Sequence, residues 1–142
     1  MNQQMTQPTK LSEIKRSWHI VDLKGQVLGR AATEIAMLLM GKAKPYFVRN
    51  LDCGDYVVVI NASKVVVSGK KTLSKKYTNY SGYPGGLKTI NFSDLLKKDS
   101  REIIKRAVSG MLAKNKFRSD RLNRVNVFPN AKHSYKDKFL SK

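Results

Sequence analysis

Acidic side chains are scarce in this chain. Its 142 residues hold 10 Asp and Glu against 28 Lys and Arg, a formal net charge of +18. Self-repulsion on that scale opposes folding unless a polyanion neutralises it, so the imbalance points to a polyanionic partner. Cysteine is nearly absent as well. Cys53 stands alone, so no internal disulfide can form, which suits a reducing compartment. Imidazole is limited to His19 and His133, and no His or Cys pair has the spacing of a zinc finger or knuckle, so no metal site is expected. No hydrophobic run approaches the roughly 18 apolar residues of a membrane-crossing helix. Residues 1–17 lack the apolar stretch of a secretory signal, and Arg16 is their only arginine, unlike an Arg-rich transit peptide. They read as a flexible N-terminal extension.

Signatures of catalysis are missing in the same way. A dinucleotide fold wants G-x-G-x-x-G after its first strand, and here only Gly25 and Gly29 stand in that turn. Gly69-Lys70-Lys71-Thr72 imitates the end of a phosphate loop, but Lys64 occupies the position of the required first glycine. A Cys53–His133 nucleophile pair lacks an orienting third group, and Asp52 beside Cys53 disfavours a thiolate. Asp52 and Asp55 read as turn residues that cap and solvate. The sequence therefore predicts a protein that is not an enzyme, with no cofactor and no small-molecule substrate. The alternative from the enzyme class is a small nucleotide-binding α/β enzyme.

What is present is a foldable core. Hydrophobic residues make up 41% of the chain, too many for a disordered polycation. Trp18–Asp22 (WHIVD) reads as a strand, and Leu28–Met40 as a buried helix with Leu28, Ala32, Ile35 and Leu39 on one face, widened by Met37, Leu38 and Met40. Gly41 is its C-terminal stop. Tyr56–Ile60 (YVVVI) is an unbroken apolar run, as in a strand covered on both faces. Strand, helix and strand make a βαβ unit. Residues 65–67 extend again, residues 77–80 are strand or loop, and residues 81–86 (SGYPGG) are irregular. A short helix starts at Ser93. Asp99 and Glu102 then have capping-box spacing before a helix whose stripe is Ile103, Ile104, Ala107, Val108, Met111 and Leu112. Gly110 within it implies close packing against another element. Asn115 caps a short basic helix to Arg124, residues 125–128 form a last strand, and residues 133–142 are a polar, basic tail.

The cations are unevenly placed. Residues 1–40 hold five basic and three acidic side chains, residues 41–99 eleven and four, and residues 100–142 twelve and three. Lys64, Lys70, Lys71, Lys75 and Lys76 run into Tyr77, Tyr80 and Tyr83, then into Gly85, Gly86 and Lys88. Cations neutralise phosphates, aromatic faces stack on unpaired bases, and glycines let backbone approach sugar and phosphate. A second cluster is Lys114, Lys116, Arg118, Arg121 and Arg124. Its arginines recur every third residue, as one cationic ridge on a helix that would meet phosphates. His133, amid Lys132 and Lys136, is read as touching phosphate or solvent rather than a substrate, and joins the candidate RNA contacts.

These residues also carry a resemblance. WHIVD, residues 25–36 (GQVLGRAATEIA), Gly41-Lys42, residues 53–71 (CGDYVVVINASKVVVSGKK) and residues 76–88 (KYTNYSGYPGGLK) appear in order. Residues 107–115 (AVSGMLAKN) and 121–128 (RLNRVNVF) and the His133 region follow. The ordered set resembles the bacterial form of the large-ribosomal-subunit protein L13 family. The resemblance implies a single α/β domain over residues 18–132, with three α/β/α layers around a mostly parallel four-stranded sheet and flexible basic termini. It implies a protein that binds large-subunit ribosomal RNA, supports early subunit assembly and neighbours other large-subunit proteins. Such a protein sits in the large subunit in the cytoplasm or an organelle, and not at a membrane. Carried over by position, the RNA contacts are the Gly41-Lys42 corner, Lys64, Lys70-Lys71, the Lys76 to Lys88 loop and Lys114-Asn115. Lys44 and Arg49 beside the corner, and the other cations and tyrosines above, complete the candidate set. The chain departs from the family pattern at Ala113, where Pro is usual, and at Phe117-Arg118-Ser119, where a Leu-Gly-Arg-like turn is usual.

Overall fold

The computed structural model describes residues 8–140. The parts of the expected extension and tail at residues 1–7 and 141–142 lie outside the described residues. In chain order the elements are β1 (Trp18–Asp22), α1 (Leu28–Met40), β2 (Tyr56–Ile60), α2 (Lys71–Ser74), β3 (Lys76–Tyr80) and β4 (Leu87–Asn91). α3 (Phe92–Met111), α4 (Arg118–Asn123), β5 (Val125–Val127) and α5 (Asp137–Leu140) follow, with 3-10 turns at Leu11–Glu13 and Ala62–Lys64. No helix among the described residues is long and apolar enough to cross a membrane.

The sheet is parallel, in the order β1-β2-β5. Val57, Val58 and Val59 of the central β2 are fully buried, which accounts for a run of valines without alternation. The core gathers Ile35 and Leu39 of α1, Ile103, Ile104 and Val108 of α3, and Val125 and Val127 of β5 around this strand. The sheet has three strands, where four were expected. Residues 65–67 contribute only a single parallel bridge, Val27 to Val66. The reason is local: α1 begins at Leu28, so the segment opposite Val66 turns helical before a ladder can grow.

α1 ends as expected at Gly41, which is left-handed (φ 75°) and donates its N–H to Met37 and Leu38 carbonyls. A Cβ on Gly41 would collide with the Cys53 carbonyl oxygen, and one on Gly54 with that of Leu39. These two glycines let the return loop lie against the end of α1, directly before β2. Met37, expected on the buried face, is 45% exposed.

α3 is two helical segments meeting at Asp99, whose backbone is extended. The Asp99 carboxylate accepts the Arg101 N–H at 3.0 Å, as an N-cap does. The expected return bond from Glu102 is not made, because Glu102 pairs with Arg106 one turn on, at 2.6 Å. Gly110 faces open space, which removes close packing as its explanation. Met111, expected on the buried stripe, is 47% exposed.

The described parts of both termini make contacts with the domain. Tyr46 donates to the Lys15 carbonyl, and the Ser17 N–H donates to Asp55 at 2.9 Å. Trp18 stacks on Tyr56 at 4.5 Å and on Tyr135 at 5.2 Å, with Phe139 edge-on. The tail thus ends in an aromatic cluster that its lysine-rich composition concealed.

Candidate nucleic-acid interface

The acidic residues decide which cations are available. Asp52, in the loop before β2, is clasped by Arg121 (Nε to Oδ1, 3.0 Å) and faces Arg16 at 3.6 Å. Arg124 Nη2 lies 2.7 Å from Asp52 Oδ2, a further ion pair on the same carboxylate. Burial alone would push the Asp52 carboxyl up, but Arg121 and Arg124 outweigh it and hold it below the usual carboxylate range. Asp55 is treated alike: burial raises it, and Lys44, the Ser17 N–H and His19 together lower it further.

This geometry corrects part of the expected interface. Arg118, Arg121 and Arg124 do share one face of α4, as their spacing requires, but that face turns inward. Arg121 and Arg124 are buried, and Arg118 donates to the Ser109 carbonyl and hydroxyl. No exposed arginine ridge forms. Lys44 is turned inward too, toward Asp55 and the carbonyls of Lys15 and Cys53. His133 is half-buried between Phe128 and Phe139, with its buried Nδ1 unpartnered, rather than displayed beside Lys132 and Lys136.

The lysine–tyrosine segment behaves oppositely. No Asp or Glu occurs between Asp55 and Asp94. Among the described residues, no ion pair involves Lys64, Lys70, Lys71, Lys75, Lys76 or Lys88. The short α2 and the antiparallel β3–β4 hairpin carry Lys71, Lys76 and Lys88, with Lys70 and Lys75 at the two ends of α2, and β4 is a strand that sequence reasoning missed. Alternation sorts the hairpin into two faces. Tyr77 and its partner Ile90 pack on the core, whereas Lys76, Thr78 and Tyr80 are exposed opposite Asn91, Thr89 and Leu87. Tyr77 is therefore no stacking platform. Burial pushes its hydroxyl pKa up against the lowering effect of Arg106, whose guanidinium lies 5.5 Å from its ring. Tyr80 and Tyr83 are 63% and 75% exposed. Residues 81–86 form a tight turn, with the Gly86 N–H on the Tyr83 carbonyl at 2.9 Å and Gly85 at φ 73°.

A second basic surface joins residues far apart in sequence. Lys42, Arg49 and Asn115, all expected contacts, line a cavity of about 350 Å³ with Phe47, Ala113 and Arg121. Lys114 and Lys116 are exposed beside it. Sequence reasoning passed over Phe47; its signal was an aromatic residue between Lys44 and Arg49. Among the described residues no group of three or more His, Cys, Asp or Glu could hold a metal, and Cys53 is fully buried.

The ribosomal protein L13 family matches residues 16–134. A large ribosomal subunit protein uL13 of Clostridioides difficile (strain 630) is 50% identical over 126 residues, covering 89% of this chain and 88% of that protein. One from Syntrophotalea carbinolica is 48% identical over 130 residues, 92% of each chain. Another, from Dehalococcoides mccartyi (strain BAV1), is 46% identical over 130 residues, 92% of this chain and 91% of the relative. With a family match over residues 16–134, from the strand before α1 to beyond β5, and relatives this similar over most of their length, the chain belongs to the ribosomal protein L13 family.

Proposed function

We propose that this protein is a structural, non-catalytic constituent of the large ribosomal subunit that binds large-subunit ribosomal RNA and supports early subunit assembly in the cytoplasm. The observation that carries the reading is the β3–β4 hairpin with α2: a run of lysines left without acidic partners, flanked by the exposed rings of Tyr80 and Tyr83. Folding gains nothing from such a surface, whereas phosphates and unpaired bases match it in charge and in ring area. The Lys42–Arg49 corner with Lys114 to Lys116 is the second contact. Lys64, Lys70, Lys71, Lys75, Lys76, Lys88, Gly85 and Gly86 serve the first. Arg124 positions the second surface from beneath. Neighbouring large-subunit proteins take the remaining contacts.

Two measurements test this. A tagged copy should sediment with large subunits and be released by high salt or nuclease. Affinity for large-subunit RNA should fall with salt along a log–log slope corresponding to about 6–10 phosphate contacts. A salt-insensitive interaction, or a copy that stays at the top of the gradient, refutes the reading.

A further inference from the structure

We propose that the cavity between the end of α1 and the loop after α3 takes one unpaired guanine of the bound RNA. The proposal rests on the RNA-binding reading and says what this part of the surface recognises. The central observation is Arg121. It is 4% exposed, its Nε is committed to Asp52, and its guanidinium lies 5.4 Å from the Phe117 ring. Among the described residues no group accepts a hydrogen bond from its two terminal nitrogens. Neither is among the fully enclosed unpartnered atoms, and Arg121 lines the cavity, so these donors open into it. A buried guanidinium held rigid by an ion pair and a ring, with its fork unused, is a preformed recognition group.

The remaining walls narrow the ligand. Phe47 and Ala113 supply apolar surface, and no Asp or Glu lines the space. The Asn115 side-chain oxygen is occupied by the Phe117 N–H at 3.2 Å, leaving its amide N–H groups without a protein acceptor. Lys42 and Arg49 stand exposed at the rim, placed for the phosphates on either side of a base. The cavity thus offers side-chain donors and no carboxylate beside apolar surface, at about 350 Å³, the small end of ligand pockets. Guanine presents two adjacent acceptors, O6 and N7, that match an arginine fork, whereas adenine places an amino donor there; unpaired cytosine has such a pair in O2 and N3, but its single ring covers less of the apolar wall of Met40, Phe47 and Ala113 than a purine does. The hairpin, by contrast, has lysines and open rings and reads no base identity.

The test uses the full chain and fluorescently labelled single-stranded hexauridylate, with one central uridine replaced by guanosine or by adenosine. Anisotropy should show the guanosine oligonucleotide bound about 5- to 100-fold more tightly than the other two. Ala113→Leu, at an exposed position on the cavity wall, should fill the space and abolish that preference while leaving the thermal midpoint unchanged. Arg121→Lys should abolish it as well; where that variant fails to fold, Ala113→Leu alone decides the matter. Lys76→Ala should weaken all three oligonucleotides alike and keep the preference. Equal affinity for the three, or a preference that survives Ala113→Leu, overturns the guanine pocket while RNA binding stands. Failure of every oligonucleotide and of large-subunit RNA to bind at low salt overturns the RNA-binding reading itself.

Discussion

The loop before β2 and the β3–β4 hairpin hold cations for opposite purposes. Around Asp52 and Asp55, positive side chains point inward and are matched: Arg121, Arg124 and Lys44 reach carboxylates packed against the start of the sheet. Around the hairpin they point outward, and among the described residues none of them makes an ion pair. The first arrangement is part of folding, where each charge removed from water needs a partner and hydrogen bonds. The second holds charge that only an external polyanion can neutralise. A count of cations therefore overstates the charge free to neutralise phosphate, and subtracting those within reach of a buried carboxylate corrects it.

The contrast can be broken most severely at Asp52. Replacing it by Ala strands two buried guanidiniums and should cost about 3–5 kcal/mol of folding stability in urea titration. If the loss is under about 1 kcal/mol, within the reach of an ordinary surface ion pair, the clasp is not structural. Tyr80→Ala should do the reverse, weakening RNA binding by about 1–3 kcal/mol while shifting stability by less than about 0.5 kcal/mol. Tyr77→Ala should instead destabilise the fold, because its ring lies on the core. A smaller effect concerns salt. Each of Lys71→Ala, Lys76→Ala and Lys88→Ala should lower the magnitude of the log–log salt slope of RNA binding by about 0.7–0.9. Arg124→Ala, measured on folded protein, should leave that slope unchanged.

Acid sharpens the same distinction. The Asp52 and Asp55 carboxyls are held below their usual range in the folded protein, so the unfolded chain takes up protons first as pH falls. Their contribution is complete above about pH 5 and is lost as pH drops below about 4. The urea midpoint should fall across that window in the native protein and fall less steeply in Asp52→Ala. Identical acid profiles would show that Asp52 is not among the titrating groups.

Much of the fold was legible because it rests on short-range patterns. Trp18–Asp22 and Tyr56–Ile60 carried β-branched and aromatic runs, Leu28–Met40 had helical periodicity, and Gly41 marked its end. The kink at Asp99 was visible as a capping position, although the partner of Glu102 was not. β4 escaped notice because LKTIN is exposed and weakly patterned, and it becomes a strand only by pairing with β3. At the interface the lysine–tyrosine run was legible as composition. The inward turn of Arg118, Arg121 and Arg124 was not, since a spacing of three places residues on a common face without saying which way that face points.

The amino-acid sequence determined, by itself, the surplus of positive charge, the alternation of strand and helix, and a stretch of lysines with no acid nearby. These are properties of composition and neighbours along the chain. Only the tertiary structure decided which cations remain free, which tyrosines stay exposed, and that Lys42, Arg49, Asn115 and Arg121 share one cavity. The physical reason is that charge pairing and burial act through space, over separations the local pattern does not encode: Asp52 meets Arg121 across 69 residues.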